Sequence, residues 1–549
     1  MSTGTQAKDA ATATAAAGIV LLTLASGQFL MTLDSSVMNV SIATVAEDVG
    51  TTVTGIQTAI TAYTLVMASL MITGGKLGQI LGRKRAFAIG CVIYGCGSFI
   101  TAIAPNLTVL LIGWSFLEGV GAALIMPAIV ALVASNFGRA ERPRAYGLVA
   151  SAGAIAVAAG PLIGGLFTTY ASWRYVFAGE VLVVLVILAF TRRMADTPPE
   201  PGVKLDLIGT GLSALGLGLV VFGILRSGTW GLVAPKSEAP QWLGLSPVVW
   251  LLLGGVAVLR MFIIWENRRL ERGKAALVDP AMLKTPVLRS GLVAFFFQYL
   301  LQAGLFFAVP LFLSVALGLS AIATGVRLLP LSITLLLSAV LIPKLRPNAS
   351  PRRVVRLGFL ALFAGIVVMV AALDAGAGPE IVTWPMLLAG LGVGALASQL
   401  GSVTVSSVPD EQSGEVGGLQ NTMTNLGASV GTALAGAVLI SGLTASFLGG
   451  LQNDPAVQDE LADRASVELS AGIPFVSDKD LEEALDAAGV PPEEAEPVLE
   501  AYSTARLDGL RASLSVLGLL ALLALFFSGR VPDVQPSAAA ASEERAPPA

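Results

Sequence analysis

Fourteen long apolar runs dominate this chain and restrict what it can fold into. Each approaches or exceeds the about 20 residues that an α-helix needs to cross the hydrocarbon core of a bilayer. Charged residues make up only 13% of the sequence, against roughly 25% in soluble domains. The sequence therefore predicts an all-α polytopic membrane protein with fourteen transmembrane helices. The runs cover residues 18–46, 53–73, 86–104, 107–135, 144–169, 175–191, 207–226, 246–264, 288–317, 322–343, 355–373, 381–405, 414–444 and 508–528.

The basic residues are distributed unevenly between the two sides of this topology. When both termini are placed in the cytoplasm, most of the 33 lysines and arginines fall on the cytoplasmic side. Positive residues collect in cytoplasmic loops, so this orientation is the expected one. The excess of arginine over lysine and the abundance of alanine favour a bacterial source. We therefore expect a multi-pass protein of the bacterial cytoplasmic membrane with both termini cytoplasmic.

An internal repeat indicates how the helices are grouped. The basic segment 345–353 follows the tenth run in the same way that segment 75–85 follows the second. This pattern predicts two related six-helix bundles, residues 18–191 and 288–528, which face each other across a cavity near the midplane. The linker, residues 192–287, adds two helices that we interpret as a spacer.

Three polar segments lie outside the predicted helices. Residues 1–17 are expected to form a cytoplasmic tail rather than a cleaved signal peptide. The acidic residues 445–507 predict an extracellular loop, with a small helix over 478–488. The Pro-, Ala- and Glu-rich residues 529–549 predict a disordered cytoplasmic tail.

The basic segment 75–85 reads GKLGQILGRKR and predicts a turn between the second and third helices. Its three glycines permit a sharp change of direction, and its cationic side chains are costly to place in hydrocarbon. The segment resembles the G-x-L-x-D-R-x-G-R-K/R signature of the major facilitator superfamily. Gln79 and Ile80 replace the acid and the arginine of that signature. The matching residues are Gly75, Leu77, Gly82, Arg83 and Lys84.

Asp34 is the first candidate for chemistry, because a carboxylate inside a membrane helix is costly unless it faces water or a partner. The surrounding LDSSVMNVSI resembles the L-D-x-T-I/V-V-N-V-A motif of the fourteen-helix drug:proton antiporter family. This resemblance implies that Asp34 exchanges protons and that Asp34 and Asn39 line a substrate cavity. The alternative is a buried acid that is satisfied by neighbouring hydroxyl groups.

Residues 153–165, GAIAVAAGPLIGG, predict a close helix contact and a bend. Gly160 and Gly164 have the small-xxx-small spacing that lets another helix approach the backbone. Pro161 removes one helical hydrogen bond. Together with Gly165 they resemble the G-P-x-x-G-G antiporter motif, which implies an exporter within the superfamily.

Two further acids depart from the pattern of the same family. Its fourth helix usually reads R-x-x-Q-G-x-G-A-A, but here Ser115 replaces the arginine and Glu118 the glutamine. Glu180 replaces an asparagine that the family has in its sixth helix. We expect Glu118 and Glu180 to join Asp34 in proton coupling, with Glu118 also in the substrate cavity. The alternative for Glu118 is a permanently neutral acid that only hydrogen-bonds a neighbouring helix.

Arg327, near the outer end of the tenth helix, is a further candidate for the substrate cavity. It is expected either to pair with an acid or an anionic group, or to extend its side chain to the membrane surface.

These features predict a secondary active efflux transporter that exports amphipathic or cationic drug-like compounds in exchange for protons. The alternative is an exporter of an endogenous lipid or secondary metabolite with atypical or absent proton coupling, because Gln79, Ile80 and Ser115 replace the usual charged residues. The expected partners are small-molecule substrates, protons and membrane lipids, without nucleic acid, and the chain is expected to act as a monomer.

Other functional classes are disfavoured by what the sequence lacks. The chain has no histidine and no clustered nucleophile and base, so an enzyme is not expected. A nucleotide-driven pump needs a Gly-x-x-x-x-Gly-Lys-Ser/Thr loop, and a channel needs a repeated filter, and neither pattern occurs. No cofactor and no metal are expected.

Overall fold

The computed structural model describes residues 2–51, 53–194, 199, 204–236, 239–374, 376–453, 475–487 and 492–535. For some of these, including Asn39, Pro161 and Asp480, it describes the backbone but not the side chain. Within the described residues, fourteen helices are long and apolar enough to cross a membrane. The predicted all-α fold with fourteen transmembrane helices is therefore confirmed.

We number these helices α1 to α14 in chain order. The first seven are α1 Ser2–Val40, α2 Val53–Leu81, α3 Arg83–Ala102, α4 Leu107–Asn136, α5 Arg142–Tyr170, α6 Arg174–Thr191 and α7 Leu207–Trp230. The remaining seven are α8 Pro247–Glu271, α9 Pro286–Ala316, α10 Ala321–Leu345, α11 Pro351–Ala372, α12 Thr383–Val405, α13 Ser413–Asn453 and α14 Pro492–Phe527.

Local sequence explains where several of these helices begin. The Ser246 hydroxyl accepts a hydrogen bond from the Val248 amide at the start of α8, and the Ser350 hydroxyl accepts one from the Arg353 amide at the start of α11. A proline follows each of these serines at the first helical position, where it has no hydrogen bond to lose.

The basic segment 75–85 is not the extended turn that its glycines predicted. Helix α2 continues to Leu81 and α3 begins at Arg83, so Gly82 alone interrupts the helices, with φ +92°. Gly75 is helical, and a Cβ atom placed on it would collide with the carbonyl group of Gly414 on α13. This glycine therefore permits close helix packing, whereas only Gly82 supplies the turn.

The first six helices pack mainly among themselves, and so do the last six. In the first set α1 runs along α5, and α3 lies against α4 and α6. In the second set α9 and α14 flank α13, and α12 lies between α10 and α11. Helix α5 packs on α10, and α2 packs on α13, so these two seams join the sets.

The linker helices α7 and α8 pack against each other, and α7 lies on α2 and α13. Their ends near α9 are fixed by polar contacts. Asp206 caps α7 and forms an ion pair with Arg269 of α8 at 3.1 Å, and the Trp265 indole donates to the same carboxylate at 2.7 Å.

The end of the molecule at which Gly82 joins α2 to α3 is called the basic end below. The α10–α11 loop lies at the same end and carries Arg352, which pairs with Asp533 at 3.1 Å. The Ser350 hydroxyl and Arg352 hold the pKa of Asp533 below its usual value. Residues 531–535, predicted to be disordered, therefore lie folded against this loop, and the tail beyond 535 lies outside the described residues.

At the opposite end, α13 and α14 extend beyond their apolar runs into the acidic segment. The predicted small helix is present as Asp478–Ala487, and Arg506 of α14 pairs with Asp478 at 2.8 Å. Pro492 occupies the first position of α14, in agreement with the preference of proline for helix starts. Residues 454–474 and 488–491 lie outside the described residues.

Candidate functional site

Helix α4 changes its geometry next to the candidate site. Residues Leu111–Glu118 form a π-helical segment, in which Trp114, Ser115 and Glu118 are all buried. Such segments are rare and often occur at functional sites. Here the extra residue in the turn helps to determine which side chains of α4 point into the first six-helix set.

Three acids from three helices meet beside this segment. Asp34 of α1, Glu118 of α4 and Glu180 of α6 each offer a carboxylate oxygen, and these oxygens lie within 4.8 Å of one another. The exposed fractions of the three residues are 0%, 0% and 2%. The structure thus brings together all three residues that the sequence suggested for proton coupling, and we call this group the acid triad.

Each acid of the triad accepts hydrogen bonds through one carboxylate oxygen. The Trp114 indole donates to Asp34 Oδ1 at 2.7 Å. The Thr101 hydroxyl donates to Glu118 Oε1 at 3.1 Å. Glu180 Oε2 accepts from the Ser98 hydroxyl at 3.1 Å and the Tyr94 hydroxyl at 3.3 Å.

The second oxygen of each acid has no hydrogen-bond partner among the described residues. These oxygens are Asp34 Oδ2, Glu118 Oε2 and Glu180 Oε1. The ion pairs found in the described part of the chain also leave out all three acids. Three negative charges cannot be held this close together in a buried site without compensation. The acid triad must therefore carry protons or a cation, and it can change its charge when these leave.

The replacement of arginine by Ser115 has a visible structural consequence. The Ser115 hydroxyl donates to the Ala59 carbonyl of α2 at 2.8 Å. Position 115 therefore joins α4 to α2 and brings no positive charge to the triad.

Sequence reasoning missed the aromatic residues around the acid triad. Trp114 stacks on Tyr63 of α2 with a centroid distance of 5.2 Å and an interplanar angle of 4°. The Tyr63 hydroxyl is buried and has no hydrogen-bond partner among the described residues. Tyr94 completes this group. In the sequence each of them is a polar aromatic residue inside an apolar run. Such residues are common in membrane helices and are therefore only a weak indication of a functional site.

A small cavity of about 70 Å³ lies between the two helix sets, away from the acid triad, and we call it the central cavity. Its lining is uncharged and combines apolar side chains with amides and phenols. The polar lining residues are Gln28, Tyr146, Gln298, Tyr299, Gln420, Asn421 and Thr424. The lining does not include Asp34 or Glu118, which the sequence suggested as cavity residues.

Of the other two residues suggested for the cavity, the structure describes the side chain of Arg327 alone. Arg327 lies in the second turn of α10, half-buried, and the described residues provide no ion pair for it. The side chain of Asn39 lies outside the described residues, although its backbone belongs to α1.

The glycine-rich motif of α5 forms a tight contact with α1. A Cβ atom on Gly160 would collide with the Ser36 side chain, and one on Gly164 would lie 3.3 Å from Val37 Cα. Gly165 follows in the same helix, and at Pro161 the described backbone remains helical. The motif of α5 therefore packs against α1. The same helix carries Asp34, which lies two residues before Ser36.

At the basic end, a second group of residues joins the two helix sets, and we call it the latch. Lys76 of α2 pairs with Glu415 of α13 at 2.8 Å, and both side chains are buried. The Gln79 amide donates to the Glu411 carbonyl at 3.0 Å.

The latch also includes Asp410. Arg142 pairs with Asp410 at 3.0 Å, and Arg83 donates to the Asp410 carbonyl. Lys84 instead donates to the Met194 carbonyl at 2.9 Å, just after the end of α6.

A model of the Major Facilitator Superfamily matches residues 24–432 of the chain. This protein belongs to the major facilitator superfamily. The match begins within α1 and ends within α13, so it includes the acid triad, the glycine-rich motif and the latch. The resemblance found in the sequence motifs is therefore confirmed.

Curated relatives within the superfamily include antibiotic exporters and resistance proteins. The chain is 28% identical over 463 residues to the probable actinorhodin transporter of Streptomyces coelicolor. The aligned region covers 82% of this chain and 75% of that protein. It is 29% identical over 431 residues to the puromycin resistance protein pur8 of Streptomyces alboniger, covering 77% and 82%. The tetracenomycin C resistance and export protein of Streptomyces glaucescens is 25% identical over 503 residues, covering 90% and 87%. This major facilitator protein is therefore a multi-pass membrane transporter and not an enzyme.

Solved structures support the fold. The human organic anion transporter MFSD10 has a TM-score of 0.57 and 13% identity, covering 93% of this chain and 99% of that chain. The proton:xylose symporter XylE has a TM-score of 0.55 and 13% identity, covering 96% and 99%. At these identities the likeness concerns the fold alone.

Proposed function

We propose that this protein exports amphipathic drug-like compounds, including cationic ones, across a bacterial cytoplasmic membrane in exchange for protons. The observation that carries the proposal is the acid triad. Its three carboxyl groups are sealed in the first helix set, and the described residues provide no cation to balance them. Protons are the simplest charge compensation that can arrive and leave during each transport cycle.

The position of the triad suggests how proton and substrate movements are coupled. Asp34 lies on α1, and Gln28 of the central cavity lies on the same helix, about 9 Å away at 1.5 Å rise per residue. The Gly160 contact fixes α1 against α5, and α5 in turn packs on α10 of the second helix set. A change in the charge of Asp34 would therefore act on a helix that also borders the cavity.

For the orientation, we propose that the basic end faces the cytoplasm. The exposed Arg85 and the loop residues Arg352 and Arg353 all lie at this end, in line with the preference of positive residues for the cytoplasmic side. The latch then closes the cytoplasmic side in this structure, and the two helix sets must separate there before substrate can enter from the cytoplasm.

An endogenous secondary metabolite is the second candidate for the substrate. The names of the relatives favour it, because they include an actinorhodin transporter and a cephamycin export protein from Amycolatopsis lactamdurans. The physical requirement is similar in both cases, since the cavity lining combines apolar surface with uncharged hydrogen-bonding groups.

The proposal can be tested with purified protein in sealed vesicles under an imposed pH gradient. We expect compounds to accumulate against their own gradient only when a proton gradient is present. The pH of the vesicle lumen should change at the same time as the compound moves. Efflux that persists after the proton gradient is collapsed, with normal rates, would contradict proton exchange. A panel that combines synthetic cations with natural antibiotics distinguishes the two substrate classes.

A further inference from the structure

We propose that the groove between the linker helices and α13 binds an anionic phospholipid, with an acyl chain in the groove and the headgroup at Lys236. The groove has a volume of about 1000 Å³, and its lining on α13 begins at Val430, six residues after Thr424 of the central cavity. It is formed by the end of α7, the following loop and Leu252 of α8 on one side, and by α13 on the other. The inference does not depend on the proposed substrate or on proton coupling.

Helix α7 packs on both α2 and α13, and the groove lies where the end of α7, from Ile224 onward, faces α13. Near the middle of α7, a Cβ atom on Gly218 would lie 3.2 Å from the Ser69 hydroxyl oxygen of α2. Towards the opposite end, α13 presents small residues along one face, and the exposed ones are Ala437, Ser441 and Ala445. Short side chains leave space there that the protein itself does not fill.

The surface around the groove is suited to lipid rather than water. Leu232 and Val233 at its rim are 57% and 56% exposed, and Leu243 in the same loop is 88% exposed. Of the three hydroxyl groups in the lining, those of Ser227 and Thr444 are already used, because each donates to a backbone carbonyl of its own helix, and Ser441 supplies the third. The lining is therefore mainly apolar, and contiguous apolar surface of this kind marks a site for membrane or ligand contact.

Lys236 provides the charge that selects an anionic headgroup. It lines the groove from the α7–α8 loop, six residues after the end of α7, is half-buried, and donates to the Gly228 carbonyl at 2.8 Å. The carboxylates in the described part of the chain form no ion pair with it. A lysine at the level of lipid headgroups attracts anionic lipids. A lipid that also buries an acyl chain between α7 and α13 would connect the linker to the second helix set.

The test uses the full-length protein, delipidated in detergent and titrated with dioleoylphosphatidylglycerol or dioleoylphosphatidylcholine, with lipid adducts counted by native mass spectrometry. We expect the anionic lipid to bind more tightly, and K236Q to reduce this preference about fivefold. A437W should fill the groove and abolish the tightest adduct of either lipid. The matched controls are K479Q, at an exposed lysine elsewhere, and A178W, at an exposed alanine of α6.

Three results would overturn the proposal. The first is equal binding of the two lipids to the unmodified protein. The second is unchanged adducts in both K236Q and A437W. The third is protection of a cysteine in S441C from a membrane-permeant maleimide by a transported compound but not by phosphatidylglycerol, which would assign the groove to the substrate instead.

Discussion

The ammonium group of Lys76 lies 2.8 Å from the carboxylate of Glu415, 339 residues later in the chain, and water reaches little of either side chain. This pair closes the basic end by joining α2 to α13. Breaking a buried ion pair by removing one partner costs about 3–5 kcal/mol, because the remaining charge stays buried. The opposite charges are therefore required whenever the basic end is closed.

The first prediction is that K76E opens the basic end and slows transport, because two buried acids then face each other. The reversed pair K76E/E415K should recover a large part of the activity. Transport and the labelling of a cysteine introduced at Glu411 report the two effects. No recovery in the double variant, at equal protein amounts, would show that the pair contributes more than its charges.

For Asp34, the expectation is that D34N abolishes gradient-driven export while the protein still inserts in the membrane. Asparagine retains an oxygen that can accept from the Trp114 indole, so the local packing should be preserved. D34E should keep part of the activity because it retains the acid. Wild-type transport by D34N, measured in vesicles at equal amounts, would remove Asp34 from the coupling mechanism. E47Q, at the exposed Glu47 of the same half, is the control.

E118Q separates a titrating acid from a structural one. Glutamine retains an oxygen that can accept from Thr101, but it can neither lose a proton nor carry a charge. We expect E118Q to change the pH dependence of transport and to weaken the binding of cationic compounds more than that of neutral ones. Rates should be recorded between pH 5.5 and 8.5, with E141Q, at the surface-exposed Glu141, as the control. Unchanged profiles for both compound classes would identify Glu118 as structural.

G160L tests the contact between α5 and α1. A leucine here collides with Ser36, and overpacking of this kind costs about 1–3 kcal/mol. We expect transport to fall far more than the amount of folded protein, because the two helices can no longer adopt their closest arrangement. The control is G179L, since a Cβ atom at Gly179 of α6 has nothing within 4 Å. Full activity of G160L would show that this contact can be relaxed throughout the cycle.

The proposed orientation predicts opposite labelling of two exposed sites. In a variant with Cys91 and Cys96 replaced by alanine, R85C reports the basic end and K479C the short helix Asp478–Ala487. An impermeant maleimide added to intact cells should label K479C but not R85C, and both should react after the membrane is disrupted. The reverse pattern would place the basic end outside.

Much of the architecture was predictable because it depends on properties that are local in the sequence. The fourteen spans follow from run length and hydrophobicity, and the helix over 478–487 follows from its spacing and flanking residues. The superfamily was recognisable from short motifs around Gly75, Asp34 and Gly160. A glycine pattern cannot distinguish a turn from a close contact, however, and segment 75–85 was therefore misread as a turn.

The sequence by itself determined that Asp34, Glu118 and Glu180 are acids in apolar helices, which makes each one costly and suggests a function. Only the tertiary structure decided that they form one group within 4.8 Å and that the central cavity has an uncharged lining instead. It also decided that Lys76 is balanced by Glu415. The physical reason is that hydrophobicity acts residue by residue along a helix, whereas charge compensation depends on distances between helices, and these are set only when the helices pack.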